Sequence, residues 1–517
     1  MRLTIVCVIL FVMCPAPHYA SASISVAALL QRADAYYAGG RYLEALSLYR
    51  DCLENDGTAR EKASAYFGLG LLVERYLDDS EQALANYRRH IELGGVHSDR
   101  ALHSSALILA RLLRCNDSAA CYRELLQRHP AYVFENALWK EMDAGPYVLS
   151  PAVGLFDPAQ LGDLPGMVRV LIEDSTGTVE VKGEDLLVVG CGGDDAWSLP
   201  HGTLALRADN DSLYLNDNPC ATGGVTVQGA RDGSLQVNGR PYRSWLSVRA
   251  EKGRVLVVNH VCLEQYLYGV LPREVYVSWP PAALRAQAVA ARTYALYHMI
   301  LRRDDSYDVL STTSSQAYGG LDREHAATNA AVDATRGLVL LNGSQLALTL
   351  YHANSGGVVE AVEDVWGARL PYLRRVLDTF SLAGRGVEWS CSLSEDEVIE
   401  RLERFGIVFQ SLESMQVLKR SGSGRVEQIE LRGGGAAVRL SGNSLRLMLG
   451  PGVVKSTRFI VGRDGADFSF TGTGYGHGVG MSQWGARAMA GSGFDYQAIL
   501  AHYYPGTHLA PWRVSGR

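Results

Sequence analysis

The chain has 517 residues, enough for about three or four domains rather than one core. It is 47% hydrophobic and 20% charged, with a formal net charge of -6 and no long run of one sign, which excludes the basic footprint of a nucleic-acid binder. Past the first residues no apolar run is long enough to span a bilayer, so no transmembrane segment is expected once that start is removed.

Residues 1–22 read as a secretory signal. Arg2 gives a positive start, Leu3 to Cys14 is apolar, and Ala20-Ser21-Ala22 offers a small-residue cleavage site. The expected product is exported, to the periplasm or the cell-envelope surface. Of nine cysteines, Cys7 and Cys14 leave with the signal; seven remain, an odd number that cannot all pair within one chain. No CxxC occurs, which excludes zinc-finger and thioredoxin readings. Cys191 with Cys220, or Cys115 with Cys121, lie near enough to bridge; buried free thiols are the alternative.

Residues 23–130 are helical in pattern and fit a 34-residue helix-turn-helix repeat. Ala33, Tyr36, Ala45 and Tyr49 occupy the signature positions of a first unit. Gly70, Ala83 and Tyr87 give a looser second unit, and Ala106, Leu109, Ser118, Tyr122 and Pro130 a third. Small residues let paired helices approach and aromatics fill the gap, so the segment resembles tetratricopeptide repeats, which present concave partner-binding surfaces. Residues 131–165, with Pro146, Pro151, Pro158 and Pro165, read as a linker. From 166 to 262 short runs such as TVEVKG and RVLVVN alternate apolar and polar residues and end in turn signals, which predicts a β-rich domain.

Residues 263–380 carry the chemistry. Pro280 and Pro281 suit a helix start, and Ala282 to Arg303 contains no Gly or Pro. On that helix Arg285 and Arg292 share one face roughly 10 Å apart, and Gln287 and Tyr294 share the opposite face. Glu274 is expected in a short loop before it, where the helix N-terminus favours the anion and burial beside Tyr276 and Trp279 opposes it. That competition makes a carboxyl group a usable acid–base catalyst. Gly pairs in SSQAYGG and YHANSGG suit tight turns at a site, with Gln316, Tyr318, His352, Asn354 and Ser355 as candidate cleft residues. Residues 381–467 read as mixed helix and strand without an assignable role. In 468–517, glycines at 472, 474, 476, 478 and 480 predict an extended segment with one bare face. Its other face presents Tyr475 and His477. Gln483 and Trp484 follow, in a helix capped by Ser482. The spacing does not satisfy a dinucleotide-binding G-x-G-x-x-G.

LEQYLYGVLPREV, ALRAQAVAARTYA, QAYGG, YHANSGG with EDVWG, KSTRF, and GYGHGVGMSQWGA with HYYPGT occur in this order. Together they resemble the stage II sporulation protein D (SpoIID/LytB) family over about half the chain. The resemblance implies an α+β fold in which helical repeats precede a β-rich and then a mixed α+β catalytic domain. It implies a lytic transglycosylase acting on peptidoglycan glycan strands stripped of peptides, or else an amidase enhancer that holds a cell-wall amidase through its repeats. Glu274 matches the family's catalytic glutamate, with Arg285 and Arg292 on its helix; Tyr318, Tyr475 and Trp484 are the expected sugar-stacking surface, and His477 and Gln483 further contacts. Val275-Tyr276 replaces the family's frequent Met-Pro. Residues 304 to 318 lack the Cys and His through which some members hold zinc, so neither metal nor cofactor is expected.

Overall fold

The computed structural model describes residues 23–112 except 78, a scattered part of 114–129, and 166–512 with short breaks at 191–195, 221–223, 230–233, 304 and 385–386. The expected signal, the 131–165 linker, Cys115, Cys191, Ser118, Tyr122 and Pro130 lie outside these residues.

Five helices come first: α1 (Val26–Ala38), α2 (Tyr42–Glu54), α3 (Ala59–Tyr76), α4 (Ser80–Glu92) and α5 (Ser98–Arg111). Their starts are capped by side chains: Ser25 accepts from Ala28 N–H, Thr58 forms a capping box with Glu61, and Asp79 accepts from Gln82 N–H. Consecutive helices pack together, and glycine sets how closely. The Tyr49 and Tyr87 rings lie over Gly68 and Gly70 of α3, 2.3 and 2.5 Å from where a Cβ would stand.

These helices do not stand apart from the rest. Ser23–Ile24 pairs antiparallel with Ile407–Val408. Asn55 exchanges hydrogen bonds with the backbone of Arg439, Asp51 accepts from Ser441 N–H at 2.9 Å, and Arg50 donates to Val365 O at 3.0 Å. Leu29, Leu46 and Tyr76 belong to the same continuous apolar core as Val289 and Phe470.

Residues 167–262 build most of an eleven-stranded sheet. Its spatial order runs 309–310, Met167–Ser175, Arg254–Cys262, Trp245–Glu251, Gly224–Gln228, Val179–Gly190, Ala196–Asp209, then Ser212–Leu215. All pairs are antiparallel except 309–310, which runs parallel to 170–171. Val168 with Val170, Val225 with Val227 and Leu246 with Val248 are buried at period two, as a sheet with one face inward requires.

From the last long strand the chain enters α6 (Leu263–Glu274) and then α7 (Pro281–Leu301). Pro281 opens α7, and its alanines 286, 288, 290, 291 and 295 are fully buried, so neighbours reach its backbone from every side. Those neighbours are α6, α8 (Ala326–Ala334), the strand Leu338–Asn342, and, near the chain's end, α12 (Gln483–Gly491) and α13 (Tyr496–Tyr503). Between them lie α9 (Val362–Trp366), α10 (Glu395–Glu403) and α11 (Gly442–Leu449), with two three-stranded sheets formed by 388–394, 459–464 and 467–473, and by 414–420, 426–433 and 436–441. The described residues thus form a mixed α+β structure, helices first and a β-rich region after. Cys52, Cys121, Cys262 and Cys391 are unbridged thiols.

Candidate active site

Glu274 is the last residue of α6, not a loop residue as expected. Pro272 is tolerated inside the helix, which stops where Val275 turns extended and gives its N–H to Leu271 O. The Glu274 carboxylate accepts the Ala317 N–H at 2.8 Å. Burial pushes its carboxyl up to about 7; the Ala317 N–H, the Gln483 side chain and the Arg273 guanidinium pull the other way and do not overcome it. A helix C-terminus also offers an anion nothing, because its exposed carbonyls carry negative partial charge.

Glu274 lines a cavity of about 490 Å³. Of the candidates named from the sequence, His352, Tyr475, His477 and Gln483 share that wall. Other lining residues were not singled out as site candidates: Arg41 just before α2, Glu44 within it, Arg273, Tyr294, Tyr351, Trp366, and Arg446 from α11. No local pattern marks them, since packing of segments far apart in sequence brings them together. Close to Glu274 in sequence and to Gln483, the Tyr276, Trp279 and Trp484 rings form a cluster with centroids 5.2 to 6.1 Å apart. Tyr276 is 64% exposed, Trp484 is half-buried, and the Arg487 guanidinium lies 5.2 Å from the Trp484 ring.

Several expected site residues have other duties. Arg292 is fully buried; it grips Glu264 with two hydrogen bonds of 2.7 and 2.8 Å and donates to the carbonyls of Val332 and Leu338. It ties α7 to α6 and does not line the cavity. Arg285 is exposed, so the two arginines differ in environment despite their common face. The site side of α7 is the opposite one: Tyr294 lines the cavity and Gln287 meets Gln483 at 3.5 Å. Tyr318 is buried with its hydroxyl on Asn259 at 3.1 Å, which removes it from any sugar-stacking surface. Gln316 is buried and links Tyr266, Ala291 and Tyr351. Ser355 is fully buried and donates to Asp378 at 2.7 Å, in a network that holds the loop rather than lining the cleft. Trp484 and Tyr475 remain accessible, Tyr475 at 41%.

The two histidines are held neutral. Burial, with the His477 ring next, keeps the His352 imidazole well below its ordinary value, and its Nδ1 meets Val479 O at 3.0 Å. Burial, then the Arg446 and Arg425 guanidinium groups, push His477 down to about 3; its Nδ1 accepts the Val479 N–H at 3.1 Å. Both shape the wall and neither is set up to carry a proton near neutrality.

The glycine run is not the extended strand expected. The strand ends at Thr473, and Gly474, Gly476, Gly478 and Gly480 all take positive φ, between 74° and 106°. That conformation is open to glycine at little cost. The run winds against the 350–360 segment: a Cβ at Gly480 would stand 1.9 Å from Leu350 O, and one at Gly476 would stand 2.8 Å from His352 Cβ. It then joins Met481–Ser482, which pairs parallel with Tyr351–His352, and Ser482 caps α12 as expected. The close backbone approach read from the sequence is present; the straight geometry is not.

The cleft is thus polar and holds one carboxyl group that burial raises to about 7. The stage II sporulation protein family model matches residues 251–341, the stretch that contains Glu274, and a domain of unknown function, DUF8618, matches residues 385–480. An uncharacterized protein of Brachyspira hyodysenteriae is 33% identical over 316 residues, 61% of this chain and 84% of that protein. The amidase enhancer of Bacillus subtilis is 30% identical over 291 residues, 48% of this chain and 40% of the enhancer. Stage II sporulation protein D of Bacillus amyloliquefaciens is 29% identical over 271 residues, 49% of this chain and 75% of that protein. The chain therefore contains a stage II sporulation protein domain and is similar over about half its length to proteins named for that family. Helices α1 to α5 lie outside the segments matched by the two models.

Proposed function

We propose that the chain acts on the bacterial cell wall as an exported lytic transglycosylase that cleaves peptide-free glycan strands. The carrying observation is the Glu274 carboxyl, raised to about 7 by burial at the cavity wall. Protonated, it donates to the glycosidic oxygen as the bond from that oxygen to the anomeric carbon breaks. As carboxylate, it then takes the proton of the sugar's 6-hydroxyl, whose oxygen bonds to the anomeric carbon. The product is a 1,6-anhydro end, no water is consumed, and Glu274 returns to its starting state. One carboxyl group suffices, unlike the flanking pair of a hydrolase. The only other carboxylate lining the cavity, among the described residues, is Glu44, which is paired with Arg41 at 3.1 Å. Gln483 and the Ala317 N–H orient the acid, and Tyr475 and the Tyr276–Trp484 cluster offer ring faces for sugars.

The relative named an amidase enhancer favours a second reading, in which the chain binds glycan and presents an amidase. Mass spectrometry of peptide-free glycan strands incubated with residues 23–517 separates the two. Anhydro-ended fragments from the wild type, and none from Glu274→Gln, are expected. Reducing ends would instead mean hydrolysis. Intact strands from both proteins, with glycan retained, would establish the enhancer reading.

A further inference from the structure

The cavity lining outside the family-matched stretch 251–341 includes a cation whose fork is unfilled. Arg446 sits on α11, within the 385–480 domain that carries no assigned role. Its side chain is 7% exposed, and its Nε donates to Lys455 O at 3.1 Å, which anchors the guanidinium. Its two Nη groups have no hydrogen-bond partner among the described residues, yet the residue lines the cavity that holds Glu274. A buried guanidinium left open on one side is costly unless something completes it.

The surrounding charges decide what that is. Glu44 is nearby but committed to Arg41. Glu274 is largely protonated below about 7. Arg273 adds a second cation to the lining. His352 and His477 face the same space uncharged. The cavity therefore carries an excess of positive charge and offers a planar two-pronged donor at Arg446, the geometry that suits a carboxylate.

We infer that Arg446 binds a carboxylate carried by the substrate, so that the cleft selects acidic sugars over neutral ones. On the glycan reading, on which this inference rests, that group is the lactyl ether carboxylate that peptide removal frees on alternate sugars. An intact stem peptide converts it to an amide, which offers no charge, so Arg446 also accounts for a preference for stripped strands.

The test is calorimetric binding to the full chain carrying Glu274→Gln, which prevents turnover. The two probes are peptide-free strands with free lactyl carboxylates and the same strands after those carboxylates are amidated. The free strands are expected to bind roughly tenfold tighter or more, the scale of one charged hydrogen-bonded pair. Adding Arg446→Gln should bring the free strands down to the amidated level. Arg446→Lys, which keeps the charge and loses the fork, should keep a reduced preference and serves where the glutamine variant fails to fold. Equal binding of both probes with Arg446 in place, or an undiminished preference in Arg446→Gln, overturns the inference and leaves the glycan reading standing. Binding of neither probe removes the glycan reading itself.

Discussion

Two residues on neighbouring helices show how far a side chain's type fixes its task. Glu274 sits in surroundings that penalise charge, so the proposed activity should follow its protonation. With a carboxyl near 7, kcat/KM for glycan cleavage should fall about tenfold per pH unit above 7, since the acid form is needed to start the reaction. Initial rates from pH 5 to 9 check this; a rate that stays flat to pH 9 would remove Glu274 as the acid. Arg292 was equally visible in the sequence and has the opposite character. Arg292→Met leaves the Glu264 carboxylate unpaired and should cost about 3–5 kcal/mol, measured by urea midpoint. The KM of the folded fraction should stay within about twofold. A large rise in KM with unchanged stability would return Arg292 to the site. Sequence spacing placed both arginines on one face but could not say which face met the cleft, because that depends on what packs against α7.

Among elements, α7 was the most legible. Two prolines at its start and a long stretch without Gly or Pro predict it from local preferences alone. The glycine run was half legible. Alternate glycines satisfy a bare-faced strand and a chain of left-handed turns equally well, and only the pairing with residues 350–360 chooses between them. The choice has a measurable cost. Gly480→Ala adds a methyl 1.9 Å from Leu350 O at a φ of 74°, which a side chain rarely adopts. It should lower stability by about 3 kcal/mol or more and weaken glycan binding, since the strand 481–482 beside His352 would shift. Thermal unfolding measures the first effect; a melting temperature within one degree of wild type would contradict it. Gly343 is a useful control, because its φ is also positive but nothing lies within 4 Å of an added Cβ, so alanine there should cost only the backbone term of about 1 kcal/mol.

For the whole molecule, the helical segment and the rest share a buried titratable contact that neither half predicts alone. Asp51 on α2 is 1% exposed, accepts from Ser441 N–H, and has one oxygen without a partner. Burial pushes its carboxyl up to about 7. The folded protein therefore holds this proton more tightly than the unfolded chain, whose value is 3.8. Between those values stability falls as pH rises, on the order of a few kcal/mol in total, and levels off above 7. Asp51→Asn should flatten that part of the curve, with chemical denaturation at pH 5 and 8 as the measurement; an unchanged slope would show that other groups set it. The repeat pattern in 23–130 made the helices legible but gave no sign that α2 would wall the cleft. Such contacts are decided by surfaces meeting across the fold, and no short window of sequence records them.

The parallel pairing of Tyr351–His352 with Met481–Ser482 ties the cleft to a segment synthesised long after Glu274. Until that segment arrives, the cavity around Glu274 lacks Tyr475, His477 and Gln483 from its lining. The cleft is thus incomplete for most of the chain's synthesis, and its completion is a late event set by a long-range closure, the slow kind of step in folding.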